Sequence, residues 1–216
     1  MMIIKILLLY FFLFGLCQCF IFPRYIKNFF NAYRRPSISI EIYNKLNTNE
    51  VSSFITNQRY EKLSNNLFNE MVGMINKDFI YREKNSFSKL PFTILIASKD
   101  NKIIGVITIE SSKIDINGKK ENQPVISNLI VSSEMRRKGI AKILTNRAEK
   151  IAKKLKYKYV YLFVDIENIP ALKLYKSRGY KSFGDTKKTT KIVYKKDRFI
   201  NNGCTNIMMR KKLYYY

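Results

Sequence analysis

Residues 129–180 read LIVSSEMRRKGIAKILTNRAEKIAKKLKYKYVYLFVDIENIPALKLYKSRGY. Leu129–Val131 closes an apolar run, PVISNLIV from Pro124, that suits a strand, and Ser132–Met135 turns the chain. From Gly139 to Leu155 the apolar residues Ile140, Ile143, Leu144, Ala148, Ile151, Ala152 and Leu155 fall on one helical face, with the cations on the other. Tyr159–Val164 (YVYLFV) alternates little, as a strand buried on both faces does. Pro170 suits the first turn of a short helix over Asn168–Ser177, and Gly179 suits its C-terminal cap.

The bend between the first strand and its helix has chemical content. N–H groups at a helix start lack partners within the helix, and the helix dipole adds partial positive charge there, so a phosphate docks well. Gly139 removes a side chain where a diphosphate must approach the backbone, and Ala141 is small for the same reason. Arg136, Arg137 and Lys138 supply cations beside it.

Working outward, Ser37–Tyr43 alternates as a half-buried strand does, and 49–77 carries apolar residues at helical spacing, enough for one or two amphipathic helices. Phe92–Ser98, a turn at Asp100–Lys102 and Ile103–Ser111 read as a hairpin. Asp115–Gln123 reads as a loop, and Tyr180–Phe183 and Asn206–Lys211 as the last two strands. The order is that of a mixed α/β domain around one sheet, with no repeat and no second domain.

Composition removes several chemistries. His is absent from the 216 residues, which excludes a Ser-His-Asp triad, a His-assisted Cys nucleophile and His-ligated metal. Of the three cysteines, Cys17 and Cys19 lie in an apolar leader, so the folded part has Cys204 alone and forms no internal disulfide; it reads as a buried structural thiol. Lys and Arg number 40 against 16 Asp and Glu, a net charge of +24 that suits a polyanionic ligand and repels cationic ones. No metal is called for.

Residues 1–19 resemble a signal peptide: Lys5, an apolar run from Ile6 to Leu16, then small-x-small at Cys17 and Cys19. An uncleaved anchor is the second reading, because the apolar run nearly reaches spanning length. Residues 20–37 hold Arg24, Lys27, Arg34 and Arg35 with no acid, as transit peptides do. The pair resembles the two-part leader of proteins sent to a secondary, apicoplast-like plastid; secretion or membrane anchoring is the alternative destination.

Leu129-x-Val131 followed by Arg136-x-x-Gly139-x-Ala141 resembles the acetyl-CoA site of the GNAT (Gcn5-related N-acetyltransferase) superfamily, and Asn168, Ala171, Tyr175 and Gly179-Tyr180 match its second block, N-x-x-A-x-x-x-Y then Gly-aromatic. The stretch ENIPALKLYKSRGY resembles the RimI-like and N-alpha-acetyltransferase branches. The resemblance implies the GNAT fold over 38–213, a mostly antiparallel sheet with a splayed strand pair and flanking helices. It implies that Arg136, Arg137, Lys138, Gly139, Ile140 and Ala141 hold the diphosphate of acetyl-CoA, and that the strand edge at Leu129, Ile130 and Val131 pairs with its pantetheine amides. Asn168 bonds the pantetheine portion, a role compatible with capping its own helix. Tyr175 protonates the leaving thiolate as general acid. Family members that acetylate peptides place a base where this chain has Phe163, which accepts no proton; Asp165 on the same strand face, or a water relay, is the replacement. Tyr194, within 191–196, corresponds to a substrate-loop tyrosine.

The weak base bears on the acceptor. At pH 7.4 roughly a quarter of α-amines are neutral against about 0.1% of lysine amines. The expected reaction is therefore transfer of acetyl to a peptide or protein N-terminus, with lysine as a second target, by direct attack in a ternary complex. The alternatives are a small-amine, polyamine-type acetyltransferase, a basic nucleic-acid-binding module, and an inactive member of the fold. Nucleic acid is not the expected partner, because aromatics do not interleave with the cations of 136–158 outside Tyr157, Tyr159 and Tyr161.

Overall fold

The computed structural model describes residues 38–42, 48–60, 62–86, 89–195 and 198–214. The expected leader, 1–37, lies outside the described residues, as do Tyr43 and Lys196. The described chain runs β1 (Ser39–Ile42), α1 (Thr48–Arg59), α2 (Asn65–Lys84), β2 (Thr93–Lys99), β3 (Lys102–Ile116), β4 (Lys119–Val131), a 3-10 turn (Ser133–Met135), α3 (Ile140–Lys154), β5 (Tyr159–Asp165), α4 (Ile169–Ser177), β6 (Lys181–Ser182), β7 (Lys187–Lys195) and β8 (Arg198–Lys212). The strands form one sheet ordered β1-β2-β3-β4-β5-β8-β6, with β7 also pairing β8. Among the described strands only β4 and β5 pair in parallel.

Several elements differ from expectation: α2 runs on to Lys84, beyond the expected end at 77, and β8 begins at Arg198 rather than Asn206. The loop expected over Asp115–Gln123 is a tight turn at Asn117-Gly118, both at positive φ, and the two strands continue through its flanks, from Asp115↔Lys120 outward. Asn-Gly is a favoured two-residue hairpin turn, and it outweighs the polarity of its neighbours. A further strand, β7 (KKTTKIVYK), pairs with β8 along its whole length. It is largely exposed, so it lacks the apolar run by which a buried strand is recognised.

One face of the sheet is covered by α3 and α4. Ile140, Leu144, Ala148 and Ala152 pack with Tyr175 on Leu95, Ile107, Ile126, Val160 and Leu162. Ile143, expected on this inner face, is 42% exposed, and the face instead takes in Thr145 and Glu149. Gly105 on β3 lets α3 approach closely: a Cβ there would sit 3.0 Å from Leu144 Cδ1 and 3.1 Å from Ile140 Cγ2. The opposite face is covered by α1 and α2, where Val51, Ile55 and Phe79 pack on Ile94, Ile96 and Val106.

β5 is buried on both faces at its centre, as its composition suggests, with Tyr161 packed on the face opposite Val160 and Leu162, but not at Phe163. Val160, Leu162 and Val164 are buried, but Phe163 is 42% exposed. The cause is the sheet: β4 pairs with β5 only at Val125↔Tyr161 and Ile126↔Leu162, so no ladder partner lies beside Phe163 on that side.

Candidate functional site

The parting of β4 from β5 begins with one residue. Between Val106↔Ile130 and Thr108↔Ser127, β4 holds one residue more than β3, and Asn128 takes φ +50 there. Such a bulge bends its strand. Asn tolerates the left-handed region better than most residues. The bulge is braced from α1: Arg59 Nη2 donates to Asn128 Oδ1 at 2.7 Å, and the Ser133 N–H donates to Gln58 Oε1 at 3.1 Å. Past Ile126, β4 remains paired with β3 to Val131 while β5 pairs only with β8. The edge of Leu129–Val131 that would face β5 is left without a strand, which is where an extended ligand adds by main-chain hydrogen bonds.

The bend after β4 places its cations and its glycine at the mouth of this gap. Arg137 and Gly139 are left-handed, with φ +62 and +83, and a Cβ on Gly139 would meet no atom within 4 Å. The first bond inside α3 runs from the Ile143 N–H to the Gly139 carbonyl at 3.1 Å. The N–H groups of Ile140, Ala141 and Lys142 therefore have no intrahelical acceptor. Arg136, Arg137 and Lys138 are exposed or nearly so, and Arg136 Nε is tied back to the Val131 carbonyl at 3.3 Å. Open space before a glycine, free amides and three cations fit a diphosphate.

Asn168 caps α4, accepting the Ala171 N–H at 3.2 Å on Oδ1. Its amide nitrogen remains available to a ligand. Tyr175 lies two turns further along α4, 7% exposed, with its ring edge-on to Tyr180 at 5.5 Å. Burial pushes its phenol up to about 12, and no hydrogen bond from another described residue occupies the hydroxyl.

Behind α4 the chain carries a feature that periodicity hides. Glu149, 7% exposed on the inner face of α3, accepts from Arg178 Nη2 at 3.1 Å on each oxygen, from Lys211 Nζ at 2.7 Å and from Tyr180 Oη at 3.3 Å. This network ties α3, the end of α4 and β8 together. A buried carboxylate with two cations is tolerable because each charge is met.

Asp165 is held at both oxygens. Oδ1 accepts the Glu167 N–H at 3.1 Å, and Oδ2 accepts Lys191 Nζ at 2.6 Å. The lysine's hydrogen bond holds its carboxyl below the usual carboxylate range. That favours a tie between β5 and β7 over proton uptake near neutral pH. Tyr194 packs against Phe199 at 5.6 Å, and Phe199 meets Tyr60 at 5.4 Å, so it belongs to an aromatic stack joining the β7–β8 hairpin to the end of α1. Cys204 is half-buried, with Sγ 3.1 Å from Thr189 Oγ1.

A groove of about 290 Å³ lies on the sheet face away from α3 and α4. Glu110, Ser127, Phe163, Met208, Arg82 and Lys187 line it. Phe163 and Ser127 flank the point where β4 and β5 part.

Residues 58–180 match the Acetyltransferase (GNAT) family. "GCN5-related N-acetyltransferase 4, chloroplastic" of Arabidopsis thaliana is 31% identical over 97 residues, a match that covers 42% of this chain and spans a third, 33%, of that relative. The ribosomal-protein-S18-alanine N-acetyltransferase of Escherichia coli superposes with a TM-score of 0.54 at 14% identity, over 83% of this chain and 100% of that one. A GNAT family acetyltransferase from Elizabethkingia anophelis with acetyl-CoA bound superposes with a TM-score of 0.53 at 15% identity, over 82% and 98%. These structures share the mixed α/β sheet and flanking helices described above. With more than half of its length matched by the family model and the family's fold in place, the chain belongs to the Acetyltransferase (GNAT) family.

Proposed function

We propose that this enzyme transfers acetyl from acetyl-CoA to the α-amine of a peptide or protein, with lysine a poorer acceptor. The observation that carries the proposal is the gap opened by the Asn128 bulge, with a free β4 edge on one side and the Gly139 bend at its mouth. Bound there, acetyl-CoA supplies an activated thioester. The N–H groups of Ile140 and Ala141, with Arg136, Arg137 and Lys138, hold its diphosphate; the main chain of Leu129–Val131 and the Asn168 amide orient the pantetheine arm. Tyr175 stays protonated through the neutral range, so its hydroxyl donates to the sulfur as negative charge develops there. A phenol this weak does not surrender its proton for long. The proton it gives to sulfur is replaced by one shed from the acylated nitrogen, which is far more acidic than the free amine.

The α-amine preference follows from the groove. Phe163 accepts no proton and Asp165 is tied to Lys191, so neither strand-β5 position serves as base; whatever group takes the proton, an α-amine, with its larger neutral fraction near pH 7, depends on it less than lysine does. The substrate named for the Escherichia coli structure, an alanine of a ribosomal protein, is consistent with this reading. The leader, residues 1–19 followed by 20–37, would send the catalytic domain, 38–213, to a plastid-type organelle, a destination that the Arabidopsis relative's name supports.

Turnover of acetyl-CoA against peptides with free N-termini, scored separately for α- and ε-acetylation by mass spectrometry, tests the proposal. We expect α-acetylation to dominate, and Tyr175→Phe to lower kcat about 10²- to 10⁴-fold with acetyl-CoA affinity unchanged. Exclusive ε-acetylation, or equal rates for Tyr175→Phe and wild type, would contradict it.

A further inference from the structure

The groove needs a group to receive the amine, and the sheet supplies one that lies outside the family's motif stretches. On the face of β3 turned away from α3, Val106 packs under α1 and α2, and Ile114 packs with Val125, Tyr161 and Met208. Strand alternation puts Thr108, Glu110 and Ser112 between these two apolar patches. Glu110 stands opposite Val125, one pair from the point where β4 and β5 part. Its side chain is 18% exposed and lines the groove. Arg82 of α2 pins one oxygen: Nη1 donates to Oε1 at 2.9 Å, while Arg82 Nε holds Asp78. Oε2 has no hydrogen-bond partner among the described residues.

We propose that Glu110, fixed by Arg82 through one carboxylate oxygen, binds the acceptor's ammonium with the other and takes up its proton, directly or through one water. The inference rests on the acetyltransferase reading and deepens it. α3 and α4, with the diphosphate bend, occupy the other side of the sheet. An acceptor must therefore meet the thioester from this face, where Glu110 stands. The atoms balance. An ammonium gives one proton to Glu110, which passes it to solvent through the groove. The neutral nitrogen attacks the carbonyl carbon, forming the C–N bond, and the C–S bond breaks. Tyr175 gives a proton to the sulfur, and the second proton lost by nitrogen restores it. The products are the amide, the free thiol and one released proton.

The charged groups around Glu110 are Arg82 and Asp78 on α2, Lys113 and Asp115 on β3 and Lys187 on β7; β4, β5 and β8 present Val125, Ser127, Phe163 and Met208. Burial is the largest influence on Glu110 and outweighs Arg82, raising its carboxyl above the usual range. A raised carboxyl is a stronger proton acceptor.

The test uses the full chain, acetyl-CoA and a set of peptides with free N-terminal α-amines, with kcat/KM measured from pH 6.5 to 9.5 for wild type, Glu110→Gln and Glu110→Asp. At pH 7 we expect Glu110→Gln to lower kcat/KM about 10²-fold. The deficit should shrink to about tenfold or less by pH 9, because the α-amine then loses its proton unaided. Glu110→Asp should recover part of the rate, and acetyl-CoA affinity should be unchanged in both variants, which also reports an intact fold. A deficit independent of pH, or none at all, would overturn the role of Glu110 while wild-type turnover leaves the acetyltransferase reading standing. No turnover by wild type would remove both.

Discussion

The two sides of the sheet were built by different means. The side proposed to hold acetyl-CoA is written in one stretch: the strand end Leu129–Val131, the bend at Gly139 and the helix that begins at Ile140 follow one another within a dozen residues. The side proposed to receive the acceptor is assembled from α2, β3, β4, β5, β7 and β8, and Arg82, Glu110, Phe163, Lys187 and Met208 meet only because the sheet brings them together. A diphosphate is gripped largely by backbone amides, and a short local conformation suffices for that. An acceptor is chosen by side chains, and those come from wherever the fold places them. This explains why membership of an enzyme family is easier to read than the acceptor.

Breaking each side in turn sharpens the contrast, and the largest effect is expected from the brace behind the cofactor side. Glu149→Ala leaves Arg178 and Lys211 without their carboxylate; the loss should be about 3 kcal/mol of stability, read as a fall in Tm of about 10 °C. An unchanged Tm would show that the network is dispensable. Next is the bend. Gly139→Asp forces a side chain into a left-handed conformation and sets a negative charge at the proposed diphosphate site. Acetyl-CoA affinity by calorimetry should fall about 100-fold, near 2.7 kcal/mol, with Tm altered far less than by Glu149→Ala. The smallest effect is expected at Asp165. If it ties β7 to β5, Asp165→Asn should reduce kcat/KM only about threefold, with no change in the pH profile between pH 6 and 9; a base there would cost about 10²-fold. The tie has its own pH window. Asp165's carboxyl is lowered in the folded chain, so the stability it contributes is fully present above the unfolded value near 3.9. It fades only as pH falls through the lower folded value.

Much of the fold was legible because its signals are local. The periodicity of 139–155, the Pro170 and Gly179 punctuation of α4 and the turn at Asp100-Asn101 each express a short-range preference, and the elements fall within a few residues of their expected places. The misses have physical causes. β7 is polar because it is exposed, and it is held by its ladder to β8 rather than by a buried face. Glu149 sits at an inward position that periodicity assigns to the polar face, and only its distant partners Arg178, Tyr180 and Lys211 make its burial tolerable. Asn128 in the middle of PVISNLIV was the one sequence signal for the bulge, since Asn accepts a left-handed backbone within a strand. Gly105 was a signal for close helix approach. Glu110 carried no local signal, because its chemistry depends on Arg82 and on the departure of β4 from β5.

The most direct measurement is a crystal structure of the chain with coenzyme A. The diphosphate should lie within hydrogen-bond distance of the Ile140 and Ala141 amides, the pantetheine arm should run along Leu129–Val131, and the sulfur should sit within about 3.5 Å of Tyr175 Oη. Density for the diphosphate anywhere else, or a sulfur remote from Tyr175, would contradict the account.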